Sequence, residues 1–327
     1  MIAVQDLDRT YSTLERLRAA IGTTVVGQGA VVEAVLVALL CGGNVLLEGV
    51  PGLGKTLLVR ALASALDLRF SRIQFTPDLM PADIVGTNVL SDDGTRRTFT
   101  YSPGPIFANV VLADEVNRAT PKTQSALLEA MEERTVTIGK TTYPLGSPFL
   151  VLATQNPIEM EGTYPLPEAQ LDRFLFKAVV GYPSLGDLVT IVEHTTEGDG
   201  VALPEAVASA ADVLSAQSVV REIPIAQPLR EYVARLVLAT HPDNRHAPKD
   251  VRSFVEYGAS PRAAIATILG AKAHALLAGE PNVRRVDIES VFPLALGHRL
   301  ILSFRGEAEG VAATALLGRV WEETPVL

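Results

Sequence analysis

Between residues 44 and 182 the chain alternates short apolar runs with segments whose apolar residues recur at helical spacing. The run NVLLEG (44–49) is stopped by glycine, and in residues 55–66 Leu57, Leu58, Ala61, Leu62 and Ala65 share one helical face. FSRIQF (70–75), NVVLAD (109–114), PFLVLAT (148–154) and FLFKAVV (174–180) read as further strands. TPKTQSALLEAMEER (120–134) reads as a helix with Thr120 at the N-cap and Pro121 in the first turn. Strands that are apolar almost throughout, separated by helices, predict an α/β fold: a largely parallel sheet covered on both faces.

Two stretches interrupt that rhythm. Residues 90–105 carry a turn signal followed by alternation around Phe99 and Tyr101, and residues 135–148 hold two β-prone runs joined at Gly139-Lys140. Both predict β-hairpins inserted into the connections of the sheet. Beyond Pro183 the pattern changes. EGDGVALP (197–204) reads as a loop, and the alanine-rich remainder, with segments such as LREYVARLVLATH, predicts an all-α domain. The expected division is an αβα core over 1–183 and a helical lid over 184–327.

Composition narrows the class. The chain has 327 residues, 48% apolar and 20% charged, ordinary for a globular protein with a large core. Its one cysteine, Cys41, rules out a disulfide within the chain and sits in the apolar stretch AVLVALLCGG, as a buried structural thiol would. The N-terminus has early acids and no apolar segment of a signal peptide. The longest apolar run, 34–47, is broken by Gly42, Gly43 and Asn44 and is too short for a bilayer. The expectation is a soluble, cytoplasmic protein with no membrane insertion. Residues 1–183 hold 15 basic and 19 acidic side chains and residues 184–327 hold 13 and 18, so neither half supplies the cationic excess that a phosphate backbone needs. No nucleic-acid partner is expected.

The chemistry concentrates in three places. GVPGLGKT (49–56) lies between a predicted strand and a predicted helix and fits the phosphate-binding loop in full. Gly49, Gly52 and Gly54 let backbone N–H groups turn inward, and Pro51, Leu53 and Leu57 complete the loop and the helix start. Lys55 reaches the β- and γ-phosphates, and the Thr56 hydroxyl is a ligand for Mg2+. NVVLADEVNRA (109–119) ends a strand in Asp114, placed to hold the same ion through water, and Glu115, placed to polarise an attacking water. FLVLATQNP (149–157) then ends at the same edge in Asn156, which stands where it can orient that water, or serves as a turn residue before Pro157. His241 and His246 flank PDNR without a third ligand at metal-site spacing, so they read as loop residues.

GVPGLGKT, LADEVNRA, ATQNPIEMEGTYPLPEAQLDRF and GASPRA together resemble a MoxR-type AAA+ ATPase of the group that carries an insert in its second helix. The resemblance spans essentially the whole chain. It implies a P-loop core, a helical lid and a ring, usually a hexamer, with ATP between subunits. It places Asn156 at the sensor-1 position and Arg173 as an arginine finger that meets the γ-phosphate of the adjacent subunit, with no partner in its own chain. Arg262 matches the sensor-2 arginine, in cis or in trans, and Arg118 is a further candidate cation at the interface. VVGQ (25–28) resembles the segment whose backbone holds adenine, through Val26, Gly27 and Gln28. The implied activity is Mg2+-dependent ATP hydrolysis coupled to remodelling, assembly or maturation of a partner protein, often beside a von Willebrand factor A domain protein. The alternatives are a nucleic-acid motor and a subunit like the magnesium-chelatase ATPase.

Overall fold

The computed structural model describes residues 4–92, 97–158, 162–197 and 200–326. The tip of the first expected hairpin (93–96), part of the Ala153-to-Phe174 motif (159–161) and part of the 197–204 loop lie outside the described residues.

The strands in chain order are β1 (Val45–Glu48), β2 (Phe70–Gln74), β3 (Gly86–Asp92), β4 (Arg97–Pro103), β5 (Val110–Asp114), β6 (Thr135–Ile138), β7 (Thr141–Pro144), β8 (Leu150–Gln155), β9 (Phe176–Val179), β10 (Val255–Tyr257) and β11 (Ile301–Leu302). The helices are α1 (Val4–Thr24), α2 (Gly29–Cys41), α3 (Lys55–Ala65), α4 (Pro81–Val85), α5 (Pro121–Glu133), α6 (Glu168–Leu171), α7 (Leu185–Thr196), α8 (Ala210–Glu222), α9 (Gln227–Leu238), α10 (Lys249–Phe254), α11 (Pro261–Leu277), α12 (Arg285–Leu296), α13 (Phe304–Ala308) and α14 (Ala313–Glu323).

Five strands form a parallel sheet in the order β2-β5-β8-β1-β9. Successive residues feed opposite faces. Val45, Leu47, Val110, Leu112, Leu150 and Leu152 enter one core cluster, while Leu46, Val111, Ala113, Val151 and Ala153 enter the other. Both faces are covered, which is why these strands carry uninterrupted apolar runs.

Both insertions are antiparallel hairpins, β3–β4 and β6–β7. The first begins at Gly86 rather than near Leu90, because the polar Thr87 and Asn88 give no alternation to detect. Tyr101 of one hairpin stacks on Tyr143 of the other, with ring centroids 4.3 Å apart. Among the described residues after β9, the regular elements are helices except for the β10–β11 ladder, whose three- and two-residue strands are too short to leave a period. No helix among the described residues is long and apolar enough to cross a membrane. Cys41 ends α2, and burial pushes its thiol up to about 12, so it stays protonated at neutral pH.

The lid packs onto the core through helices that the core alone would leave bare. α2 lies against α1, α8, α11 and β9, and α1 also touches α3 and α11. One buried cluster therefore runs from Leu17 and Leu36 through Ala271 to Leu317. A charged bridge crosses this contact. His274 of α11 lies 3.1 Å from Glu33 of α2 and 2.8 Å from the fully buried Asp287 of α12. Arg18 backs Glu33 at 3.4 Å, and Arg284 backs Asp287 at 3.0 Å.

The bonds to Asp287 and then Glu33 raise the His274 pKa to about 9. A raised histidine stabilises fully below its unfolded value near 6.5 and loses that contribution as pH rises through about 9. His274→Gln should therefore cost on the order of 2 kcal/mol at neutral pH. Urea unfolding of wild type and variant should show this gap closing above about pH 9. A gap that stays constant across that range would show that the bridge does not depend on the proton.

Candidate active site

In a parallel sheet every strand ends at the same edge, so the loops after β1, β5 and β8 emerge side by side. They enclose a cleft of ≈ 500 Å³ lined by Gly52, Lys55, Thr56, Asp114, Glu115 and Asn156, with Arg60, Arg72 and Thr154. Pro51, Leu53, Gly54 and Leu57 line the same cleft. Gly54 caps α3 with φ +76 and Gly52 has φ +85, left-handed values that glycine takes without a Cβ clash. Gly49 lies beneath the loop, where a Cβ would come 2.8 Å from the Val180 carbonyl of the neighbouring chain segment.

Lys55 Nζ donates to the carbonyls of Gly49 and, at 3.1 Å, Val50. Burial lowers its pKa, and Asp114 and Glu115 oppose that shift without reversing it. Thr56 is the next residue of α3, so its hydroxyl and the Asp114 carboxylate reach one cleft. Both are oxygen donors, the hard set that Mg2+ takes, and the fit is good on that chemistry.

The two acids are fixed by a residue with no place among the expected site residues. Thr154 of β8 is buried, donates to Asp114 Oδ1 at 2.6 Å, and accepts the Glu115 backbone N–H at 2.8 Å. That N–H belongs to a strained residue: Glu115 sits at φ 59, ψ 51, the left-handed region that a glutamate rarely enters. The kink stops β5 and starts the short 3-10 turn Val116–Arg118. Around the side chains a relay closes. Arg72 Nη2 donates to Asp114 Oδ2 at 2.7 Å and to Gln74 Oε1 at 2.6 Å, and Gln74 Nε2 donates to Glu115 Oε2 at 2.8 Å. Arg118 pairs with Glu115 at 3.2 Å. Asn156 is buried at the lip, and its Oδ1 accepts the Ile158 N–H at 3.1 Å, so its amide donors are what it can offer the cleft.

The other expected residues lie elsewhere. Val26, Gly27 and Gln28 precede α2 and do not line this cleft; Gln28 Nε2 donates to the Gly181 carbonyl at 3.2 Å, and a Cβ on Gly27 would meet Asp187 of α7. Arg173 and Arg262 line a second cleft of ≈ 280 Å³, together with Glu132, Asp172 and Arg299. The expectation that Arg173 has no partner in its own chain is incorrect. Its Nη1 lies 2.9 Å from Glu132 Oε2 and donates to the Leu128 carbonyl at 3.2 Å, because α5 ends beside the segment that leads into β9. Arg262 meets the same carboxylate, at Oε1, 3.1 Å away. The residue before Arg173 is anchored more deeply: Asp172 Oδ1 accepts from the buried Arg299 at 2.6 Å, and Ser260 donates to both its oxygens at 3.2 Å.

Comparison with known proteins adds an independent line. The ATPase family associated with various cellular activities (AAA) matches residues 44–176, and the AAA lid domain matches residues 248–319. The chain is 47% identical to the chaperone MoxR1 of Mycobacterium tuberculosis over 310 residues, covering 94% of this chain and 81% of that one. It is 43% identical to YeaC of Bacillus subtilis, covering 94% and 92%, and 32% identical to the protein MoxR of Methylorubrum extorquens, covering 88% and 87%. A crystal structure of a protein from Cytophaga hutchinsonii superposes with a TM-score of 0.92 at 40% identity, covering 98% of this chain and 97% of that one.

Thr154→Val keeps the shape and deletes the hydroxyl, leaving the Glu115 N–H and one Asp114 oxygen without their partner. The expected cost is about 1–3 kcal/mol in thermal or urea unfolding. ATP turnover should fall by roughly tenfold or more at near-normal nucleotide affinity, because the acids lose their fixed geometry rather than the phosphate loop. Unchanged turnover would show that the relay through Arg72 and Gln74 positions the acids by itself.

Proposed function

The chain belongs to the MoxR family of AAA+ ATPases, and we propose that it hydrolyses ATP with Mg2+ in an oligomeric ring, probed below, to remodel or mature a protein client. The observation that carries this reading is the separation of the two clefts. The phosphate loop and the acids share one, while Arg173 and Arg262 share another, and none of the described residues lines both. A site of this kind is completed by bringing the second cleft of one subunit to the first cleft of the next.

In this reading the triphosphate lies along residues 49–56, with Lys55 offsetting its charge. Thr56 and Asp114 hold Mg2+, which when bound neutralises charge on the phosphate oxygens. Glu115 draws a proton from the attacking water, and the Asn156 amide orients that water toward phosphorus. Arg173 of the adjacent subunit stabilises the charge that develops on the transferred group, and Arg262 supports it. Val26, Gly27 and Gln28 flank the adenine. Core and lid divide near residue 183, the ring is a hexamer, and the protein works in the cytoplasm. The chaperone name of the MoxR1 relative supports a protein client, and a von Willebrand factor A domain protein is the partner class that family resemblance suggests.

Glu115→Gln should keep ATP binding, read by isothermal titration, and lose about two or more orders of magnitude in turnover. Near-wild-type turnover would assign water activation to another group.

The ring is tested by complementation. Lys55→Ala should abolish nucleotide binding, whereas Arg173→Ala should bind ATP and turn it over roughly a thousandfold more slowly. Mixed oligomers of the two, verified by native mass spectrometry, contain interfaces where an intact Lys55 faces an intact Arg173. Activity should reappear with a maximum at intermediate mixing ratios. Wild-type turnover by Arg173→Ala alone would remove Arg173 from the mechanism.

A further inference from the structure

We propose that Glu132 is a latch on the two arginines of the second cleft. It holds Arg173 and Arg262 on their own chain, and the triphosphate of a neighbouring subunit must displace it before either guanidinium is engaged. The proposal rests on the reading that Arg173 serves the adjacent site.

The geometry is that of a shared counter-ion. Each carboxylate oxygen takes one arginine, Oε2 at 2.9 Å from Arg173 and Oε1 at 3.1 Å from Arg262. The three groups come from α5, from the segment before β9 and from the start of α11, so one carboxylate gathers both guanidiniums into a pair. Their surroundings separate this contact from a structural bridge. The side chains of Glu132, Arg173 and Arg262 are 37%, 35% and 52% exposed, whereas Arg299, which grips Asp172 next door, is 3% exposed. Exposed pairs of this kind contribute little to folding and open readily. The Asp172–Arg299 contact fixes the segment; Arg262 also lies 3.6 Å from Asp172 Oδ2, a longer contact than the one it makes to Glu132, and the exposed Glu132 contact leaves both arginines releasable.

The sequence of α5 points the same way. Its last turn carries Glu132 and Glu133, with Glu129 just before it, and no basic residue. Carboxylates at a helix C-terminus face the negative end of the macrodipole and weaken the helix. Glu132 therefore serves something outside α5, and the groups it meets are the two arginines. A triphosphate offers them more charge and bidentate oxygens, so it competes successfully for the same guanidiniums.

A latch that closes only in the ground state has a defined kinetic signature. Apparent affinity is reduced by the fraction of subunits whose arginines are free, while turnover at saturation is untouched. Glu132→Gln, which keeps the size and removes the charge, should lower the half-saturating ATP concentration by about threefold or more with kcat within about twofold of wild type. The measurement is an ATP titration of steady-state hydrolysis by full-length Glu132→Gln, Arg173→Ala and the double variant, with thermal melts as a control for folding. In the Arg173→Ala background the added Glu132→Gln should shift half-saturation much less. If Glu132→Gln leaves half-saturation unchanged, raises it, or lowers kcat in step with the melting temperature, the latch is refuted; a slow Arg173→Ala in the same experiment leaves the trans-acting arginine standing. If Arg173→Ala turns over at the wild-type rate, the reading of Arg173 fails and the latch fails with it.

Discussion

Helix α2 is apolar on every side, and most of the architecture follows from having to bury it on every side. Nine of its residues are buried, and its one charge is Glu33. A helix of that composition is unstable at a surface. β9 covers one flank, and α1, α8 and α11 cover the others. Two of those helices come from beyond residue 184, so the lid is held by the same burial that holds the sheet. Glu33 would be costly in such a place without a partner. His274 and Arg18 meet it, which turns the one polar fault of α2 into a tie between α1, α2 and α11.

The chemistry depends on a different constraint, the common edge of the parallel strands. Because β1, β5 and β8 are adjacent and run the same way, the phosphate loop, Asp114-Glu115 and Asn156 arrive together without any long connection. The edge supplies position, and Thr154 supplies orientation. Its hydroxyl is the shared partner of an acid side chain and of the N–H of the strained Glu115. Strain at that residue persists because the turn after it and the strand beside it leave the backbone no alternative. Arg72 and Gln74, projecting from the end strand β2, add a second layer of support: Arg72 donates to Asp114 Oδ2 through both Nε and Nη2, and Gln74 donates to Glu115.

How much of this is legible in the sequence depends on how local each signal is. The five core strands are legible because burial on both faces leaves continuous apolar runs, and the phosphate loop is legible because it is contiguous. Helix α1 is not: its buried stripe of Leu14, Leu17 and Ile21 is narrow and diluted by arginine and glutamate. Thr154 reads as one more strand residue, since nothing in its neighbours marks a buried hydroxyl with two partners. The Glu132 pairs reach across 41 residues to Arg173 and 130 to Arg262, and no periodicity records such contacts. Family resemblance suggests what the two arginines are for. Its implication that Arg173 has no partner in its own chain fails, because the contact with Glu132 is set by the fold and not by the motif.

Helix α2 also explains how one subunit can present two different faces. It starts at Gly29, directly after the segment proposed to flank adenine, and ends at Cys41, where Gly42 and Gly43 line the cleft of Arg173. Thirteen helical residues span about 20 Å. Because α2 is buried from Val31 to Leu40 apart from Glu33, it moves as one rod with the core packed around it. A closed ring requires two distinct surfaces, each matched to the other on the next copy. In the proposed ring, the rigid body between those surfaces is α2 with the helices packed on it, and a shift at the adenine end must be carried to the arginine end as displacement of the whole. The two arginines then sit on a firm base, anchored by Asp172 and Arg299, and share the exposed Glu132 carboxylate that an incoming phosphate would replace.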